Sequence, residues 1–129
     1  MILLDTHVLV WIATDERKLS RAAEAAVRRA GHASGLAISA ISLIEIASLV
    51  RRGRLEIQST VESTIERLTS GLIILPITRE IAALTIYFPD DFPDDPSDRI
   101  IAATARAENL ALVTADERLQ SCPLVKTIW

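Results

Sequence analysis

Short apolar runs alternate along this chain with segments whose apolar positions recur every three or four residues. Ile2-Leu3-Leu4 reads as a buried strand ending at Asp5, and a helix follows through Val8, Leu9 and Ile12 with a break near Thr14-Asp15. Ser20 caps a second helix, rich in Ala and Arg, that stops near Gly31. Leu36-Ala-Ile38 is a second strand; Ser42 then opens a helix carrying Ile46, Leu49 and Val50 that Gly53 closes. Residues 59 to 69 present Val61, Ile65 and Leu68 on one face, Gly71 ends that helix, and Leu72-Ile-Ile-Leu75 is a third buried strand. Thr78 starts another helix, and an acidic, proline-broken loop runs from Pro89 to Pro96. Ile100, Ile101, Thr104 and Ala105 mark a helix reaching about Asn109, and Leu110-Ala-Leu-Val113 is a fourth strand. Asp116 starts a short helix, and residues 124 to 128 offer a fifth strand.

Buried strands alternating with amphipathic helices predict an α/β fold: a three-layer α/β/α sandwich around a parallel sheet of four to five strands. The 129 residues show no repeat, linker or low-complexity segment, so residues 1–129 are expected to form one domain.

Composition narrows the picture. Hydrophobic residues are 50% of the chain and aromatics 4%, so the core is aliphatic. No apolar run is long enough to span a bilayer, and the N-terminus resembles no signal peptide. The single cysteine, Cys122, has no internal partner and fits a reducing compartment. A soluble, cytoplasmic protein without a membrane partner is the expectation. The net charge of −3 argues weakly against nucleic acid. Setting aside four of the 17 acids as metal ligands leaves 13 against 14 Lys and Arg, near +1, so the balance is neutral evidence.

Four acids fall where a parallel sheet builds its sites, beyond the carboxyl ends of the strands. Asp5 ends strand one, and Glu45 is placed in the first turn of the helix after strand two. Asp98 is in the first turn of the helix leading into strand four, and Asp116 follows that strand. Single acids have simpler readings. Ser42 and Glu45 make a capping box, Asp95-Pro-Ser-Asp98 is a helix start, and Asp116 is an N-cap. Asp5 differs, because it sits between Leu3-Leu4 and Val8-Leu9-Val10 with no Lys or Arg within ten residues. Together, four such carboxylates repel unless a hard cation joins them, and oxygen-only ligands suit Mg²⁺ or Mn²⁺.

At these residues the chain resembles the PIN-domain nucleases, in particular the toxin ribonucleases of bacterial toxin–antitoxin pairs (the VapC group). The resemblance lies in four blocks: Leu3-Leu-Asp-Thr-His-Val-Leu-Val-Trp11, Ser39-Ala-Ile-Ser-Leu-Ile-Glu45-Ile, Asp95-Pro-Ser-Asp-Arg-Ile-Ile-Ala-Ala-Thr104 and Leu112-Val-Thr-Ala-Asp116. It implies Mg²⁺ or Mn²⁺ on Asp5, Glu45, Asp98 and Asp116, with Asp5 central. The resemblance implies further that a metal-activated water cuts RNA to a 5′-phosphate and a 3′-hydroxyl. It also implies a cognate antitoxin and a homodimer.

Around these acids, Thr6, Ser42 and Thr114 offer hydroxyls to hold a carboxylate or water in place, or to cap turns. Arg99 is a candidate RNA contact or an ion-pair partner for Asp95. His7 reads chiefly as structural, and Asp94 and Asp95 as part of a solvated acidic loop. Arg17, Lys18 and Arg21 form one basic cluster. Arg51, Arg52 and Arg54 form another, which is expected to point away from the metal edge, two turns beyond Glu45. The chain departs from the family's pattern in one place, the acidic run Asp90-Asp-Phe-Pro-Asp-Asp95, which is expected to slow the approach of RNA or, instead, to attract a basic antitoxin segment. Competing readings are a phosphatase or receiver-type phosphoryl-transfer domain, a non-catalytic interaction module, and a nuclease for DNA or RNA processing without an antitoxin. The first lacks its Asp-x-Asp pair, since position 7 is His.

Overall fold

Leu3 and Leu4 point to opposite faces of the sheet, and each face is closed by its own helices. The computed structural model describes all of residues 1–129. Five strands, β1 (Ile2–Leu4), β2 (Leu36–Ser39), β3 (Ile73–Leu75), β4 (Leu112–Val113) and β5 (Thr127–Ile128), form one sheet in the order β3-β2-β1-β4-β5. All four pairings are parallel. Leu3, Ala37 and Leu112 pack on one side with Ile101, Ala102 and Ala105 of a long helix; Leu4, Ile38 and Val113 pack on the other with Val8, Ala23, Ile46 and Leu68. The alternation of neighbouring residues between two cores is the two-residue period of a strand buried on both faces.

The helices are α1 (Thr6–Thr14), α2 (Arg21–His32), α3 (Ile41–Arg51), α4 (Val61–Thr69), α5 (Arg79–Leu84), α6 (Pro96–Ala107) and α7 (Glu117–Gln120), with a 3₁₀ turn at Glu16–Lys18. None is long and apolar enough to cross a membrane. Gly53 and Gly71, at φ of 70° and 78°, supply the left-handed residue after α3 and α4. The expected three-layer α/β/α sandwich is present, with five strands.

Three local expectations need correction. Leu72–Leu75 is not a buried strand: β3 lies at the sheet edge, and Ile73 and Ile74 are 41% and 43% exposed. Apolarity marked the strand but not its place in the order. Ser42 does not cap α3, which begins at Ile41 after Ala40 with no side-chain cap, so Ser42 and Glu45 form no capping box. Glu45 is therefore in the second turn. A capping box does occur at Thr60 and Ser63, at the start of α4.

Candidate active site

From β1 the chain steps outward through β2 to β3, then returns to β4 and β5 on the other side of β1. The strand order reverses between β1 and β4, and sheets of this kind open a crevice at such a point. Asp5 leaves the carboxyl end of β1 there, and Thr114 leaves that of β4.

Asp5 is only 4% exposed. It is the N-cap of α1: its Oδ1 accepts the Thr6 backbone N–H at 2.9 Å. Its Oδ2 accepts the Thr114 hydroxyl at 2.7 Å, and His7 Nδ1 stands 3.6 Å away. The cap corrects the expectation that Asp5 alone among the four acids lacks a structural role. Its buried charge is held by N–H and O–H donors rather than by Lys or Arg. His7 Nε2 accepts the Ala115 N–H at 3.2 Å, which leaves the ring proton on Nδ1, facing Asp5. His7 thus has a structural bond, but to a residue 108 positions along the chain and not within its own helix, and it also lines the cleft.

Thr6 ties the second acid to the first. Its hydroxyl donates to Glu45 Oε1, and the buried Ser42 hydroxyl lies 2.8 Å from Thr6 Oγ1. Because the Thr6 proton is committed to Glu45, Ser42 is the donor in that pair. Burial pushes the Glu45 carboxyl above its ordinary value, the Thr6 bond opposes this, and the charges of Asp5 and Asp95 add to it.

Asp98 is the third residue of α6, whose N-cap is Asp95 and whose first residue is Pro96. Its carboxyl is pushed up to about 7, first by burial and then by the charges of Asp95, Asp5 and Asp116. Asp116 caps α7 and lies in the two-pronged grip of Arg118, at 3.1 Å to Oδ1 and 2.8 Å to Oδ2. That grip holds the Asp116 carboxyl below its ordinary value. The same guanidinium stands 3.5 Å from Asp98.

Asp5, Glu45, Asp95 and Asp98 line one cleft of about 350 Å³, with Ser48 and Arg52 on its wall. Asp116 is coupled to it through Asp98 and Arg118. In this arrangement no three carboxylates converge on a single point, because Asp116 is turned to Arg118 and Glu45 to Thr6. Donor chemistry nevertheless fits a hard divalent cation: every donor is oxygen, and two of the carboxyls are raised, first by burial and further by neighbouring like charges that a cation would offset.

Other residues fall differently from expectation. Arg99 is spent on the loop before α6, donating to the carbonyls of Pro93 and Thr85 and to Asp94, not Asp95. The cation at the carboxylates is Arg118, which sequence reasoning missed. Arg52 lines the cleft, so the second basic cluster does not point wholly away from it. Its seven-residue spacing from Glu45 was the available signal, placing both on one helix face. Asp94 is fully exposed, but Asp95 belongs to the cleft.

A family model described as PIN domain matches residues 2–123. The chain is 38% identical over 130 residues to Ribonuclease VapC22 of Mycobacterium tuberculosis, covering 99% of this chain and 98% of that one. Its fold resembles VapBC2 of Rickettsia felis, solved bound to a promoter DNA fragment, with a TM-score of 0.76, 20% identity and coverage of 98% and 97%. It likewise resembles the DNA-bound VapBC of Salmonella typhimurium, with a TM-score of 0.73, 19% identity and the same coverage. With its carboxylate cleft at the sheet's switch point and these matches along nearly its whole length, the chain belongs to the PIN domain family.

Proposed function

We propose that the chain is a metal-dependent endoribonuclease and the toxin of a toxin–antitoxin pair, with Mg²⁺ or Mn²⁺ held by Asp5, Glu45, Asp98 and Asp116. The observation that carries this reading is the cleft that brings the buried Asp5 carboxylate together with Glu45 and Asp98, both raised first by burial and further by the like charges around them. The relationship to a ribonuclease of the VapC group supports RNA as substrate, and the VapBC complexes among its structural relatives support an antitoxin partner. When bound, the cation supplies charge neutralisation at the phosphate and a water of lowered pKa.

The chain's own residues do the positioning. Thr114 and the Thr6 N–H fix both oxygens of Asp5, and Ser42 and Thr6 fix Glu45. Asp98, its carboxyl pushed up to about 7, would have to give up its proton near neutral pH in order to hold the cation. Arg118 and Arg52 are the cations within reach of an incoming phosphate. Two copies are proposed to pair through exposed apolar side chains, of which Ile73 and Ile74 lie on the edge strand β3. The unpaired Cys122 is in keeping with the cytoplasm.

The test is incubation of the purified protein with single-stranded RNA in Mn²⁺ and in EDTA, with analysis of the product ends. Cleavage in Mn²⁺ alone, leaving 5′-phosphates, is expected. Cleavage of DNA but not RNA, or equal cleavage in EDTA, contradicts the reading. Co-purification with the product of the adjacent reading frame tests the antitoxin.

A further inference from the structure

The carboxylate cleft continues past His7. A second, larger groove of about 580 Å³ opens on its other side and shares His7 and Leu49 with it. Leu49, Leu55 and Leu68 form its apolar floor, and Trp11 forms a wall. Lys18, Arg54 and Arg67 stand around it with a single acid, Glu56. None of the three cations takes part in an ion pair, which leaves all three free to meet an anion. On a chain of net charge −3, this is a local reversal of sign. The Lys18 ammonium stands 5.7 Å over the Trp11 ring, and His7 packs against that ring at 4.8 Å between centroids.

We propose that this groove is a nucleotide subsite. It holds an unpaired nucleotide next to the scissile phosphate, its base against Trp11 and the leucines and its phosphates against Lys18, Arg54 and Arg67. The inference rests on the nuclease reading of the neighbouring cleft. Single-stranded nucleic acid brings one charge per nucleotide and a flat apolar face per base, and an aromatic wall beside unpaired cations matches both. The groove's size lies in the range of small-ligand clefts, and its continuity through His7 sets the bound nucleotide beside the cleft that Asp5 lines. A basic peptide is disfavoured by the three cations. An acidic peptide meets the charge but makes no use of the opening into the carboxylates.

The experiment compares wild type with Arg54→Glu/Arg67→Glu, Lys18→Glu, Trp11→Leu and Trp11→Phe, each checked for a cooperative melt. The probe is a fluorescein-labelled twelve-nucleotide single-stranded RNA of randomised sequence. Binding is read in EDTA by anisotropy and by quenching of tryptophan fluorescence, and cleavage in Mn²⁺ as KM and kcat. The double charge reversal is expected to weaken binding at least tenfold and to flatten the salt slope by about 1.4, from about 0.7 per phosphate contact. Trp11→Leu is expected to weaken binding about tenfold with Trp11→Phe restoring most of it. The loss is expected to fall on KM rather than kcat. Unchanged affinity and KM in Lys18→Glu and the double variant overturn the proposal. So does a loss confined to affinity for a protein partner. If wild type cleaves no RNA, the nuclease reading fails, while the binding series in EDTA still decides the groove.

Discussion

The Thr114 hydroxyl donates to the Asp5 carboxylate at 2.7 Å across 109 residues of chain, and accepts the Asp116 N–H at 3.1 Å. One buried hydroxyl thus ties the end of β1 to the end of β4 and holds two of the four acids in fixed relation. Thr114→Val keeps the shape but strands the Asp116 N–H and removes a donor from Asp5. A stability loss of about 1–3 kcal/mol and a 10–100-fold weaker Mn²⁺ affinity are expected, with Thr114→Ser restoring both. Thermal melts and Mn²⁺ titration by calorimetry check this.

The Asp98 carboxyl, raised from 3.8 to about 7, binds its proton more tightly in the folded than in the unfolded chain. Its contribution to stability is therefore complete below about pH 4 and lost as pH rises through 7. Metal-free wild type should lose on the order of 1–2 kcal/mol relative to Asp98→Asn between pH 4 and 8, allowing for solvent screening. Mn²⁺ affinity should fall about tenfold per pH unit below 7 and level off above it. Chemical denaturation and Mn²⁺ titration across that range are the measurements.

Arg118 grips Asp116 and touches Asp98, so it occupies with its own charge the ground a metal cation needs. Arg118→Gln should let the Asp116 carboxyl rise towards its ordinary value, since the arginine is the first cause of its depression. Mn²⁺ then binds several-fold more tightly, because no side-chain cation competes for the two carboxylates. Carbon-detected NMR titration of Asp116 and calorimetry read the two effects separately.

Arg99 is expected to be a staple and not an RNA contact. Arg99→Ala removes its bonds to Pro93, Thr85 and Asp94 and its position 5.7 Å over the Phe92 ring. A loss of about 2 kcal/mol, several degrees in Tm, is expected. KM for RNA should stay within about twofold of wild type at temperatures where the variant is folded.

Particular elements explain what was legible in the sequence. Strand β1 and helix α6 could be read because Leu3-Leu4 and Ile101, Ala102 and Ala105 carry the period of a doubly buried strand and of a helix stripe. The position of β3 at the edge could not, since Ile73 and Ile74 look as apolar as a central strand and strand order is a property of the whole fold. Asp98 and Asp116 lie where local capping signals place them, whereas the cap that Asp5 makes on α1 was not read from the sequence. Glu45 shows the limit: the Ser-x-x-Glu spacing that suggested a capping box instead serves Thr6, a residue 39 positions away. Arg118 and Asp95 join the site through turns at helix starts, which spacing alone does not distinguish from ordinary caps.

Cleavage of single-stranded RNA by wild type and Asp5→Asn in matched Mn²⁺, with the Mn²⁺-induced rise in Tm recorded on the same samples, tests the carboxylate site most directly. The variant alters one buried oxygen and keeps the cap to Thr6 available. Loss of cleavage by at least a hundredfold, together with loss of the Mn²⁺ stabilisation, is the expected result. Cleavage and Mn²⁺ stabilisation both equal to wild type in Asp5→Asn would contradict a metal-dependent nuclease centred on this cleft.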